Sequence, residues 1–417
     1  LMLNFLLSGI ALLSYAGLKF WRTKIFYPSI VFSTMWGLAC VVTGLILGGA
    51  FGELFLDDYY KFSYLDTYIP WFAFISISAF SLAHKLFPGK QVNLCFSLAF
   101  LTRIVKRYHW IMWVNFFGGI LRIILMVSLV GIDSVMDYRL AANEMMNTGL
   151  GTVGLVFRIT SYVQMLANFY VALAGCKAGM QTLKFKEVVF LFILYSPTQL
   201  ATGGRLFILY FVLFYFGSFL LGRGISLNKH RSFLERREKK TILLAFVGML
   251  SLVSLIALSR QSETKHANES AIAKFTYISE GMLESEHYMK FYPPEEISPD
   301  YGEFLLTGRS EMYLQYRKYL LMTKMSSIVI SAITSLYTGF GYVGSLVVWG
   351  ILAFILEAIS IKCLRRLTII RFFVLLTILK IMYESIISNP IQGNYAVYEL
   401  LILLALFYKP IFNDTKT

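Results

Sequence analysis

Long apolar runs alternate with short polar stretches along the whole chain. The runs fall near residues 2–18, 27–49, 64–84, 109–132, 151–176, 187–201, 204–222, 242–259, 340–361, 372–388 and 395–411. A helix needs about 20 mostly apolar residues to cross the hydrocarbon core of a bilayer. The pattern therefore predicts an all-α, polytopic integral membrane protein of about eleven transmembrane helices. A membrane β-barrel would show ~10-residue segments of alternating polarity instead. Runs 187–201 and 204–222 are divided only by Thr202-Gly203-Gly204, so they predict a tight helical hairpin or one broken helix. No small-residue cleavage site follows the first run, which reads as a retained membrane segment and not a signal peptide.

Composition narrows the class further. Of 417 residues, 57% are hydrophobic and only 15% are charged. Soluble domains carry roughly 25% charged residues, so a soluble globule is excluded, and the recurrent apolar runs exclude a disordered chain. The net charge is +14. In a soluble protein that excess would suggest nucleic acid. In a membrane protein, basic residues collect in cytoplasmic loops and set orientation. One set of alternate loops holds Lys19, Arg22 and Lys24, then Lys85 to Arg107, Lys177 to Lys186, Arg223 to Lys240 and Lys362 to Arg371. The other set holds Glu53, Asp57, Asp58, Asp133, Asp137 and Glu144. The asymmetry predicts a non-cytoplasmic N-terminus and a cytoplasmic C-terminus, and no nucleic-acid partner. Cys40, Cys95, Cys176 and Cys363 lie in or beside apolar runs without CxxC spacing, so neither a disulfide framework nor a metal site is expected.

The chain reads as a single membrane domain, 1–417, with one large polar loop inserted at 260–325 on the non-cytoplasmic side. Apolar residues within that loop, such as Phe275, Tyr277, Met282 and Leu283, predict folded helices lying against the membrane. No P-loop, HExxH or GxSxG is present. The informative residues are charges at membrane ends. Arg205 follows Gly203-Gly204 at the turn between two apolar runs. An arginine at membrane depth costs several kcal/mol unless it pairs or faces water, and its guanidinium grips phosphate oxygens in bidentate fashion. The competing reading is a snorkelling arginine at the interface. Arg260 closes run 242–259 and Arg139 lies in an outer loop, so three arginines gather on one side; they suggest a polyanionic or diphosphate ligand. Arg122 and Arg158 fall inside apolar runs. Lys380 and Glu384 are spaced i,i+4 and are expected to neutralise each other. Glu357 and Glu399 lie near span ends, where a side chain can snorkel. His266, His287, Glu280, Glu284 and Glu286 in the outer loop are candidate general bases, against the plainer reading of a solvated helix face.

Several local patterns together resemble one family, the bacterial oligosaccharide repeat-unit polymerases, or Wzy proteins. Asp137-Tyr138-Arg139 precedes a span, as a Tyr-Arg element does there. Thr202-Gly203-Gly204-Arg205-Leu206 is similar to the family's Gly-Arg segment, and Leu258-Ser259-Arg260 to the basic close of the span before the large outer loop. Tyr277-Ile278-Ser279-Glu280-Gly281 resembles the Tyr-x-x-x-Gly near that loop's start. Thr334-Ser335-Leu336-Tyr337 with Gly339-Phe340-Gly341 and Gly344 resembles the element where the chain re-enters the membrane.

The resemblance implies an enzyme of the bacterial inner membrane. It would transfer a growing glycan on undecaprenyl diphosphate to a new lipid-linked repeat unit at the periplasmic face. A chain-length regulator protein and membrane lipid are its implied partners, and the chemistry demands no metal or other cofactor. The implied catalytic residues are Arg205, Arg260 and Arg139 on the diphosphate, with His287 or Glu280 on the acceptor hydroxyl. Gly203, Gly204, Tyr138, Tyr277, Arg158 and Arg309 are the implied substrate-binding residues. An O-antigen ligase-like transferase and a transporter or flippase of the same lipid-linked glycan are the alternatives.

Overall fold

The computed structural model describes residues 2–49, 63–88, 95–130, 152–200, 210–226, 233–259, 277–299, 311–312, 315–316 and 331–386. The elements, in chain order, are α1 (Met2–Thr23), α2 (Pro28–Leu47), α3 (Leu65–Leu86), α4 (Leu98–Arg107), α5 (Trp110–Val130), α6 (Thr152–Met180), α7 (Phe185–Leu200), α8 (Gly217–Ile225), α9 (Arg236–Ser259), α10 (Tyr277–Phe291), α11 (Ala332–Arg365) and α12 (Ile369–Glu384). A π turn, Val212–Phe216, leads directly into α8. Among the described residues there is no β-strand. The protein is all-helical, as its apolar runs predict.

Among the described residues, six stretches are long and apolar enough to cross a membrane: Met2–Thr23, Pro28–Leu47, Leu65–Leu86, Leu98–Ser128, Gly154–Met180 and Ala332–Arg365. Their outward faces agree with that reading. On α11, Val343, Val347, Ile351, Ile355 and Ile359 recur every four residues and are all exposed. A soluble protein would cover so long an apolar stripe. Helices α7 and α12 have 16 residues each, about 24 Å of helix at 1.5 Å per residue. Run 395–411 lies outside the described residues.

The chain divides into two compact units, Leu1–Asn93 with Ile272–Leu401, and Leu94–Ala271 with Ile402–Thr417. The first holds α1–α3 and α10–α12. Helix α2 is its centre, because small residues let neighbours approach on several sides. A Cβ at Gly9 of α1 would meet the Gly37 carbonyl oxygen at 2.8 Å, so α1 and α2 pack backbone to backbone there. Phe32 and Trp36 of α2 meet Phe72 and Phe80 of α3 and Trp349 of α11 at centroid distances of 4.8–5.9 Å. Both buried indoles find acceptors. Trp36 Nε1 donates to Ser385 Oγ and Trp349 Nε1 to Ser76 Oγ, each at 2.8 Å, which removes the penalty of an unpaired N–H in an apolar core.

The second unit holds α4–α9. Gly175 and Gly179 of α6 face the backbone carbonyls of Tyr215 and Phe219, and Gly222 faces that of Cys176. Any Cβ at these glycines would force α6 and α8 apart. Gly119 gives α5 the same close approach to Pro197 and Thr198 of α7. Buried Arg223 of α8 pairs with buried Glu238 of α9. Helix α4 is an element that the apolar runs do not predict. Ser97 caps it by accepting from the Phe100 N–H at 3.1 Å, and Phe100, Leu101 and Ile104 are buried while Arg103 and Lys106 are exposed. It is amphipathic and only 10 residues long, too short for a hydropathy reading based on membrane thickness.

Candidate functional site

Helix α10 comes from the polar stretch 260–325, yet Met282, Tyr288 and Met289 are fully buried in the core of the first unit. Gly281 sets its position. A Cβ there would collide with the Ile386 carbonyl oxygen and touch Ser331 Cβ at 3.4 Å. One turn on, Ser285 Oγ donates to the Gly281 carbonyl at 2.6 Å and lies 2.6 Å from Ser331 Oγ and 2.9 Å from Thr334 Oγ1. Ser331 is also the N-cap of α11, accepting from the Thr334 N–H at 3.3 Å. The opening nine-residue segment of α11 is buried except for partly buried Phe340, and the helix then breaks at Gly341, with φ 71° and ψ −173°. That backbone conformation is essentially reserved for glycine. The re-entry pattern in the sequence thus corresponds to a short buried helix followed by a glycine break.

The next residue of α10 corrects an expectation. Glu286 is a candidate base by sequence, but its carboxylate is occupied. It accepts from the N–H groups of Ser63, Tyr64 and Leu65 at 2.6–3.2 Å and from Ser63 Oγ at 3.0 Å. Tyr64, the N-cap of α3, makes no side-chain cap bond. Glu286 therefore caps α3 from another helix and satisfies N–H groups that the first turn leaves over.

His287 is differently placed. It is half-buried, and its Nδ1 lies 2.9 Å from the Tyr316 hydroxyl. Burial, and then the ammonium of Lys290, hold its pKa below the ordinary 6.5. At neutral pH the imidazole is uncharged and able to take a proton. Tyrosines surround it. Tyr288 meets Tyr316 edge-on at 4.9 Å. Tyr292 donates to the Met312 carbonyl at 3.1 Å, and Tyr337 donates to the Tyr292 carbonyl at 2.7 Å. These contacts fix the ring positions beside His287.

The other candidates are distributed as follows. Arg139, Arg205, Arg260, Arg309, Tyr138, Gly203, Gly204 and His266 lie outside the described residues. Tyr277 and Glu280 form the first turn of α10. Arg158 is exposed on α6. Arg122 is buried and donates to the Phe157 carbonyl and to Ser161 Oγ, joining α5 to α6. Lys380 and Glu384 pair at 3.9 Å, as their spacing predicts. The π turn Val212–Phe216 closely follows the Gly203-Gly204-Arg205 segment in the chain, and such turns recur at functional sites.

Glu357 does not snorkel. It is fully buried, accepting from the Ser29 N–H at 3.1 Å and Ser29 Oγ at 2.6 Å, with His84 Nε2 at 2.6 Å. It caps α2, whose N-cap Tyr27 supplies no side-chain bond. In both tertiary caps the acid and its partners are more than 200 residues apart, so no local pattern announces them. Among the described residues no group of three or more His, Cys, Asp or Glu side chains is placed to hold a metal. Comparisons with protein families, with curated proteins and with solved structures found no match.

Proposed function

We propose that the protein is a membrane glycosyltransferase of the polysaccharide-polymerase type. It elongates a glycan carried on undecaprenyl diphosphate at the periplasmic face of a bacterial inner membrane. In this reading some eleven helices span the bilayer, with the N-terminus periplasmic, the C-terminus cytoplasmic and α10 on the periplasmic side. A chain-length regulator protein is its expected partner.

One observation carries the proposal. Two glycines of the motifs that suggest it, Gly281 and Gly341, occupy positions where a side chain meets a backbone oxygen or a backbone conformation closed to it. They belong to α10 and α11, which meet at Ser285, Ser331 and Thr334, and α10 also carries the uncharged His287. The donor arrives already activated, so no nucleotide-binding fold is needed. The acceptor hydroxyl oxygen forms a bond to the anomeric carbon of the donor, and the bond from that carbon to the diphosphate oxygen breaks. His287 takes the hydroxyl proton, and undecaprenyl diphosphate leaves with the bonding electrons. Arg139, Arg205 and Arg260 hold the diphosphate and offset its developing charge.

The test uses purified full-length protein in detergent with an authentic undecaprenyl-diphosphate-linked repeat unit, its glycan products separated on a gel. A ladder is expected, reduced at least about 100-fold in Arg205→Ala, the usual scale for loss of one charge-stabilising donor. Absence of a ladder with several authentic repeat units would overturn the reading. Liposome flipping of the same lipid by the same preparation would then point to a transporter.

A further inference from the structure

The two ends of the first unit carry opposite charge. Around α10 the described charges are mostly acidic: Asp66, Glu286, Glu295, Glu296 and Glu311, with Lys290 among them. At the other end α1, α3 and α11 finish, and α2 and α12 begin. The cations there are held by backbone carbonyls and aromatic rings. Arg365 Nη2 donates to the Pro88 carbonyl just beyond α3, and Arg371 Nη1 to the Arg366 carbonyl, each at 3.1 Å. The Lys362 ammonium lies 5.0 Å from the Phe87 ring centroid, and that of Lys24 lies 4.1 Å from Trp21, which is 74% exposed. Among the described residues the carboxylate at this end is Glu357, which is fully buried against Ser29 and His84. The surface is left cationic.

The exposed apolar stripe of α11 leads straight to these cations. Its last residue is Ile359, and Lys362 follows three positions later on the same helical face; Arg366 is the residue that ends the helix, and both cations are exposed. From Val343 to Ile359 the stripe is about 24 Å long, most of the ~30 Å hydrocarbon thickness of a bilayer. An apolar strip ending in fixed cations matches a molecule with acyl chains and an anionic head. A nucleic acid or an acidic soluble protein would have no use for the strip. The Nε of Arg365 is buried without a hydrogen-bond partner, which leaves it unsatisfied at the edge of the same patch.

We propose that this end of the first unit binds anionic glycerophospholipids. Their phosphates rest on the turn from Lys362 to Arg371, and their acyl chains lie along the Val343–Ile359 stripe. The site is independent of the glycosyltransferase reading.

The experiment measures lipid retention by the full-length protein in detergent, using native mass spectrometry with phosphatidylglycerol and phosphatidylcholine as probes. Phosphatidylglycerol should be retained in preference to phosphatidylcholine, and the preference should fall as salt rises. Each basic residue near an anionic surface contributes about a fivefold gain in affinity. The triple variant Lys362→Gln, Arg366→Gln, Arg371→Gln should therefore lose the preference by about a hundredfold, while Arg237→Gln in the other unit leaves it unchanged. Equal retention of the two lipids by the native protein, or a preference insensitive to salt, would overturn the proposal without any variant having to fold. An undiminished preference in a folded triple variant would overturn it as well.

Discussion

Replacing Glu357 with alanine should destabilise the first unit more than any other single carboxylate change within its membrane helices. The side chain is fully buried and accepts two hydrogen bonds from Ser29, at 3.1 and 2.6 Å, with His84 Nε2 at 2.6 Å. Truncation leaves the Ser29 N–H without its acceptor at the first turn of α2, and Tyr27 offers no substitute cap. Loss of a helix cap costs about 1 kcal/mol. Each buried polar group left unpaired costs about 1–3 kcal/mol, and the Ser29 hydroxyl and His84 are two such groups. The sum is about 3–7 kcal/mol, and its lower half coincides with the roughly 3–5 kcal/mol found when one partner of a buried pair is removed. Glu357→Gln keeps one acceptor oxygen and should cost about half as much. The assay is reversible unfolding in mixed micelles, followed by the fluorescence of buried Trp36 and Trp349. A double-mutant cycle with Ser29→Ala isolates the hydroxyl bond, because groups in one network do not add, while the Ser29 N–H keeps its acceptor in that variant. A cost below about 1 kcal/mol for Glu357→Ala would show that the carboxylate does not cap α2, and strict additivity with Ser29→Ala would show that the hydroxyl bond contributes nothing.

Three further outcomes are expected. Gly281→Ala should disrupt the packing of α10 against Ile386, whereas Gly17→Ala, where a Cβ meets nothing within 4 Å, should be neutral or slightly stabilising; thermal unfolding of the two variants side by side checks the contrast. Gly341→Ala has room for its methyl group, 3.5 Å from Pro299 Cγ, so its cost of about 1–3 kcal/mol should come from backbone strain alone, and Gly341→Asn should bring no recovery, because asparagine tolerates the left-handed helical region and not this extended conformation at positive φ. If His287 is the general base, polymer formation should hold steady above its ordinary pKa of 6.5 and fall only at lower pH, because burial and Lys290 hold its pKa down. A pH–rate profile reads this directly, and His287→Gln should remove that limb with the activity. Stability follows the opposite partner: as pH drops below about 6.5 the unfolded chain takes up the proton before folded His287 does, so the fold weakens across that interval.

The membrane helices were legible because their signal is local and long. A run of about 20 apolar residues has few alternative uses, and each run from 2–18 to 372–388 meets a described helix. Helix α4 escaped notice because it buries only one face over 10 residues and carries its charges on the other. The candidate site was legible only in part. His287 could be named from its type and loop, but its neutral state depends on burial and on Lys290, and its partner Tyr316 is 29 residues away. Glu286 and Glu357 could be seen as charges near membrane ends. Their work as caps of α3 and α2 could not be read, because those helices lie more than 200 residues earlier.

The sequence by itself determined an all-helical membrane protein and the charge asymmetry of its loops, since hydropathy and net charge are sums over neighbouring residues. Tertiary structure alone decided which charges are spent inside the protein and which remain at its surface. It turned two glutamates into helix caps, set Arg365 against Pro88 and Lys362 against Phe87 at the end of α3, and broke α11 at Gly341. The physical reason is that desolvation and hydrogen bonding depend on what packs nearby in space, and a linear pattern carries no record of that.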